Sequence, residues 1–180
     1  ALVQDRPVLG GNGSKEIRVW LHGADGGENN RYFREGGLVG RLLLENLWRN
    51  PTAQAELWDT LLLETVLAET NLDLYLNTAV TGCVVDGARS IQSVEALTLG
   101  AERRWTFSGT LFADCTGDGT LGALAGASCR CGCEASREFA ESLAPGEELP
   151  ASLGGSILFA LKDLGTPVPY VPPAWAHRFD

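Results

Sequence analysis

Thr110 to Ala127 reads T-L-F-A-D-C-T-G-D-G-T-L-G-A-L-A-G-A, and this stretch constrains the chain more than any other. Thr110 to Ala113 is an apolar run suited to a buried strand, Thr116 to Gly119 is a glycine turn, and Thr120 to Ala127 restarts as a helix of small residues. A junction of that kind points backbone N–H groups and the positive end of a helix dipole at whatever lies before it. Gly117 and Gly119 have no Cβ to hold a phosphate or a ribose away. Gly122, Ala123, Ala125 and Gly126 let the helix sit close to a sheet. Taken alone, the stretch has a second reading, in which Asp118 caps a helix and the glycines only make a turn.

The remaining residues decide between them. With 180 residues, 44% of them hydrophobic, the chain can bury one core, and 22 glycines with 8 prolines imply many turns rather than a helical bundle. A net charge of -9 without any cluster of Lys and Arg argues against a nucleic-acid partner. No apolar run approaches the roughly 18 residues of a membrane span, and no basic-then-apolar leader opens the chain. A soluble, cytoplasmic protein with a small-molecule substrate is the expectation. Ala1-Leu2-Val3 reads as the tail of a strand, the last residues form a proline-rich segment, and Met is absent, so we read the chain as an internal piece of a longer one.

In chain order, Leu2-Val3 runs into Gln4-Asp5-Arg6-Pro7, where proline ends any ladder and polar residues stand at a strand's carboxyl end. In a doubly wound sheet, ligands bind there, and an acidic or amide side chain at the second strand takes ribose hydroxyls; Gln4 and Asp5 are the candidates. Gly10, Gly11 and Gly13 make a second loop open to close backbone approach, although Glu16 stands where a G-x-G-x-x-G pattern needs its third glycine. His22 has no nucleophile or carboxylate at recognisable spacing and reads as structural. Leu38 to Trp48 is helical by its leucine spacing, and Asn50-Pro51 signals a further helix to about Thr70, with Leu57, Leu61 and Leu62 in its core stripe and Glu56, Asp59 and Glu64 facing out. Asn71 to Thr81 reads as a strand ending level with Gln4, and residues 82–108 read as an inserted antiparallel meander.

This order of elements, with Gln4 to Asn12, Asn77 to Val80, Ala113 to Gly119 and Leu124 to Ala127 as its quoted motifs, resembles the FAD-dependent oxidoreductases of the glutathione-reductase-like superfamily. More narrowly it is similar to a bacterial branch grouped with the A-type component of heterodisulfide reductase and with proteins labelled xanthan lyase-like, which Glu138 to Pro145 and Gly165 to Tyr170 also fit. The resemblance implies an α/β, Rossmann-like FAD-binding sheet with an inserted meander, incomplete at both ends. Residues 1–130 would be the partial FAD domain and 131–180 the start of a substrate or cap region. It implies that Gln4 stands at the ribose-binding position, that Asp5 and Arg6 lie against the adenosine, and that Gly10, Gly11 and Asn12 run under the pyrophosphate. Val80 would meet the adenine through its backbone, and Thr116 and Gly117 would close over the AMP half, with Asp118 beside them capping the helix or accepting from a hydroxyl. Carbohydrate breakdown is the company this branch keeps. No catalytic residue is assigned.

Five cysteines, an odd count, favour a reducing compartment. Cys83 and Cys115 fall in expected strands and read as buried small hydrophobes. Cys129, Cys131 and Cys133 would share one face of a strand; relatives of the heterodisulfide-reductase type carry 4Fe-4S clusters, but this alternate spacing departs from cluster motifs, and no metal ligand is assigned. The function expected is FAD-dependent oxidoreduction of an unknown substrate. The alternatives are a non-redox nucleotide-binding module or an inactive flavoprotein fragment.

Overall fold

A computed structural model describes residues 1–19, 21, 35–87, 90–150, 152, 155 and 161–177. The chain is mixed α/β, with a parallel pair and an antiparallel three-stranded sheet. Strands β1 (Leu2–Val3) and β2 (Leu74–Tyr75) lie parallel, Leu2 opposite Leu74. The connection between them holds a 3-10 turn at Gly11–Gly13, helix α1 (Gly37–Arg49) and helix α2 (Ala55–Leu67). Strands β3 (Thr78–Val85), β4 (Ile91–Thr98) and β5 (Arg103–Ser108) form the expected meander, four residues longer at its start than the sequence suggested. Helices α3 (Thr120–Leu124) and α4 (Ser136–Phe139) follow. His22 and the loop after it lie outside the described residues.

Three aromatic rings lock the parallel pair to the meander. Tyr75 of β2 stands edge-on to Trp105 and Phe107 of β5, with centroids 4.8 and 4.9 Å away. The Trp105 indole N–H donates to Thr98 Oγ1 at 2.9 Å, and that hydroxyl lies 3.3 Å from Thr78 Oγ1, so the buried Thr78 is satisfied. Val94 and Ala96 of β4, Leu121 of α3, and Leu9 with Leu61 form the apolar interior.

Several expectations are corrected. The single strand expected over residues 71–81 is two strands, because Asn77 sits at φ 50 and turns the chain out of the parallel pair into the meander. The second helix begins at Ala55, not at Asn50. The buried Asn50 instead closes the turn after α1: its Nδ2 donates to the Gln54 carbonyl at 2.7 Å and its Oδ1 accepts from the Gln54 N–H at 2.8 Å. Asp59 does not face out. It is buried, and both its oxygens accept from the Lys15 N–H at 3.1 and 3.3 Å, pinning the 10–15 loop to α2.

Residues 110–114 carry no ladder, and Leu111 is exposed, since no described strand lies alongside to pair with them. Cys115 is correspondingly exposed rather than buried in a strand, and residues 129–133 do not form one. The helix expected to reach Ala127 stops at Leu124. Gly126 at φ 78 ends it, with the Ala127 N–H bonded to the Gly122 carbonyl and the Gly126 N–H to that of Ala123, the paired bonds of a Schellman stop.

Candidate cofactor site

The candidate site is built on the outer edge of β3. The Thr78 N–H donates to the Gln4 carbonyl at 2.8 Å and the Gln4 N–H to the Tyr75 carbonyl at 2.9 Å, so Gln4 is level with the β2–β3 junction as its position in a parallel pair requires. Thr78 faces Thr98 in the ladder while its N–H turns outward to Gln4, and the Leu99 N–H takes the Asn77 carbonyl. By the alternation of an antiparallel ladder, Val80, opposite Ala96, also aims its N–H and C=O outward. No described residue hydrogen-bonds to them. The ladder slips at Thr81, between the Val80 and Gly82 pairings, a bulge that increases the local twist next to that outward amide.

Gln4 Nε2 donates to the Val8 carbonyl at 3.3 Å, which orients the amide and leaves Oε1 as an acceptor. Arg6 Nε lies 3.7 Å from Glu16 Oε2, while its Nη1 is buried without a hydrogen-bond partner among the described residues. Gly10 and Gly11 have φ of 101 and 55; a Cβ on Gly10 would come within 2.8 Å of Leu62 Cδ1, whereas one on Gly11 would meet nothing within 4 Å. Gly10 is therefore fixed by packing on α2, and Gly11 borders open space. Asp5 and Asn12 are exposed.

The glycine turn works differently from its sequence reading. Asp114 Oδ1 accepts from the Thr116 N–H and hydroxyl at 3.0 and 2.7 Å, and Oδ2 accepts from the Gly122 N–H at 2.8 Å. Thr116 Oγ1 accepts from the Thr120 N–H at 2.8 Å. The first turn of α3 is thus satisfied by Asp114 and Thr116, and Asp118 does not cap it; Gly119 occupies that position. These hydrogen bonds, with that from Gly122 strongest, hold the Asp114 carboxyl below the usual carboxylate range. The Thr116, Thr120 and Gly122 amides are occupied by side chains, and a carboxylate stands at the helix entrance. Gly117 and Gly119, at φ 79 and 68, have open space where a Cβ would be. The sequence signal for Asp114 was its place at the end of the apolar run, two residues before Thr116.

Gln4 is bonded to the start of β3, and α3, which follows the Thr116 to Gly119 turn, lies against the same strand. No hydrogen bond or ion pair among the described residues joins Gly10 to Asn12 with Thr116 to Asp118. Two clefts lie elsewhere, about 450 Å³ beside Gly36, Gly40 and Leu44 and about 600 Å³ beside Cys133 and Leu143. No group of three or more His, Cys, Asp or Glu among the described residues could hold a metal ion, and no helix among them is long and apolar enough to cross a membrane.

A mixed α/β chain with glycine loops at the edge of a short parallel pair, followed by an antiparallel meander, is consistent with a cofactor-binding domain. The family model described as FAD dependent oxidoreductase matches residues 1–173, and the chain belongs to that family: it is an FAD-dependent oxidoreductase. No curated protein and no solved structure matches it.

Proposed function

We propose that the β3 edge holds the adenosine half of FAD, and that the observation carrying this is the outward N–H and C=O of Val80, two residues along the same edge from the Thr78 amide that Gln4 occupies. An adenine edge offers an acceptor nitrogen beside an amino donor, which matches one backbone N–H and C=O on a free strand edge. Gln4 Oε1 accepts from a ribose hydroxyl. The buried, unpartnered Nη1 of Arg6 gains an acceptor on the adenosine, which removes the cost of leaving it unsatisfied. Gly10, Gly11 and Asn12 run under the pyrophosphate. Thr116 and Gly117 close over the AMP half with Asp118 at solvent, away from phosphate.

FAD supplies the electron transfer; this chain's residues bind and orient it. Residues 131–180 begin a region facing a small-molecule substrate. The Rossmann-like sheet, and the branch that holds the A-type component of heterodisulfide reductase and xanthan lyase-like proteins, are the finer assignments that the motif order supports. Carbohydrate-derived substrates fit that branch.

Val80→Pro tests the reading. Proline deletes an outward N–H, and no ladder bond, on an edge strand where it can be accommodated. In the full-length protein, FAD affinity read by flavin fluorescence should fall about tenfold, the loss of one hydrogen bond, while far-UV circular dichroism stays unchanged. Unaltered affinity would remove Val80 from the site.

A further inference from the structure

The geometry points to Cys131 and Cys133 as a reactive dithiol that exchanges with small cationic disulfides to form a reversible Cys131–Cys133 link. Cys129, Cys131 and Cys133 are all free and exposed. The Cys129 thiol is engaged, donating to the Ala127 carbonyl at 3.4 Å. Cys133 lines the cleft of about 600 Å³ with Gly132, Glu134, Glu141 and Leu143.

Gly132 between the two thiols has φ 92, and a Cβ there would fall 2.2 Å from the Leu149 carbonyl oxygen, so only glycine fits. The turn is clamped from both sides. Cys133 N–H and C=O pair with Leu149 at 2.8 and 2.9 Å, and Arg130 is held by Glu138 and by Glu148. Residues two apart have Cα atoms about 5.5–7 Å from each other, overlapping the range a disulfide spans. A link across so short and clamped a turn is strained, hence oxidising and easily reduced, the character of labile rather than structural disulfides.

The exchange balances without a further oxidant. The Cys133 thiolate attacks one sulfur of the small disulfide, forming a mixed disulfide and expelling one small thiolate, which takes a proton. Cys131, losing its own proton, then attacks Cys133 Sγ and expels the second small thiol. The protein dithiol is oxidised by two electrons, and the small disulfide is reduced to two thiols. Charge selects the partner, because residues 129–150 contain five Glu against two Arg. This field draws cations and repels anions, and salt screens it.

The test uses the full-length protein with cystamine as the cationic disulfide and oxidised glutathione as the anionic one. Cystamine should yield a product lighter by two hydrogens, mapped by peptide mass spectrometry to Cys131–Cys133. Cys131→Ser should stop at a stable cystamine adduct on Cys133, and Cys129→Ser should form the link as the parent does. Oxidised glutathione should react more slowly, the gap narrowing in salt. A link through Cys129, separate stable adducts on Cys131 and Cys133, or no reaction would overturn the dithiol. Equal rates for the two reagents would overturn the cationic preference.

Discussion

Asp114 and Asp59 both accept from backbone N–H groups, and the fold moves their protonation in opposite directions. Asp114 is held low by the Gly122 and Thr116 bonds. Its stabilisation is complete above the unfolded carboxylate value of about 3.9 and is lost as the pH falls through the lower folded one. Burial pushes Asp59 up, against the lowering effect of the Lys15 N–H. Stability linked to Asp59 is present below its unfolded value and is lost as the pH rises through the folded one. Asp114→Asn should therefore lower Tm most near neutral pH and converge with the parent in acid. Asp59→Asn, which keeps an acceptor for Lys15, should hold or raise Tm at neutral pH; thermal melts across pH read both. Gly117 makes a second prediction at this scale. Gly117→Val and Gly100→Val place the same branched side chain at φ 79 and φ 76, where a Cβ meets nothing within 4 Å at either position, so both carry similar backbone strain. Both should lose similar stability in denaturant melts, but only Gly117→Val should lose FAD.

At the scale of elements, the parallel pair and the meander are separate sheets joined at the Asn77 turn and by the ring of Tyr75. Two edge-to-face contacts contribute about 0.5–1.5 kcal/mol each. Tyr75→Ala should cost about 1–3 kcal/mol in urea unfolding on that basis and should also weaken FAD binding, because the β3 edge is no longer held in register with Gln4. A Tyr75→Ala protein as stable as the parent would show that the backbone bonds from the Thr78 N–H to Gln4 and from the Asn77 N–H to Arg6 suffice to join the sheets. The helix boundaries follow the same pattern. α1 occupies Gly37–Arg49 as its leucine spacing predicts, whereas α2 starts late because Asn50 satisfies the turn from within.

For the whole molecule, a cofactor that binds only the folded chain stabilises it by mass action. At a free FAD concentration a hundred times Kd the gain is about 2.7 kcal/mol, which in a chain of this length raises Tm by about 5–10 °C. Differential scanning fluorimetry with and without FAD measures it, and adenosine alone should give a smaller shift in the same direction if the adenosine half is the part held at the β3 edge. A shift with FAD and none with any adenosine nucleotide would move the binding surface away from Gln4 and Val80.

The meander, α1, the glycine turn and the level of Gln4 were legible in the residues, because alternation, helical spacing and glycine act over a few neighbours. Tertiary structure decided the rest. Asp59 is buried because Lys15, 44 positions away, brings an N–H to it, and the strand over 71–81 divides because Asn77 lets one half pair with β1 and the other with β4. Asp114 displaces Asp118 as the partner of α3 because its side chain reaches an amide eight residues on. Val80 offers its amide outward because of the register of a strand pair, a property that exists only once two distant segments meet.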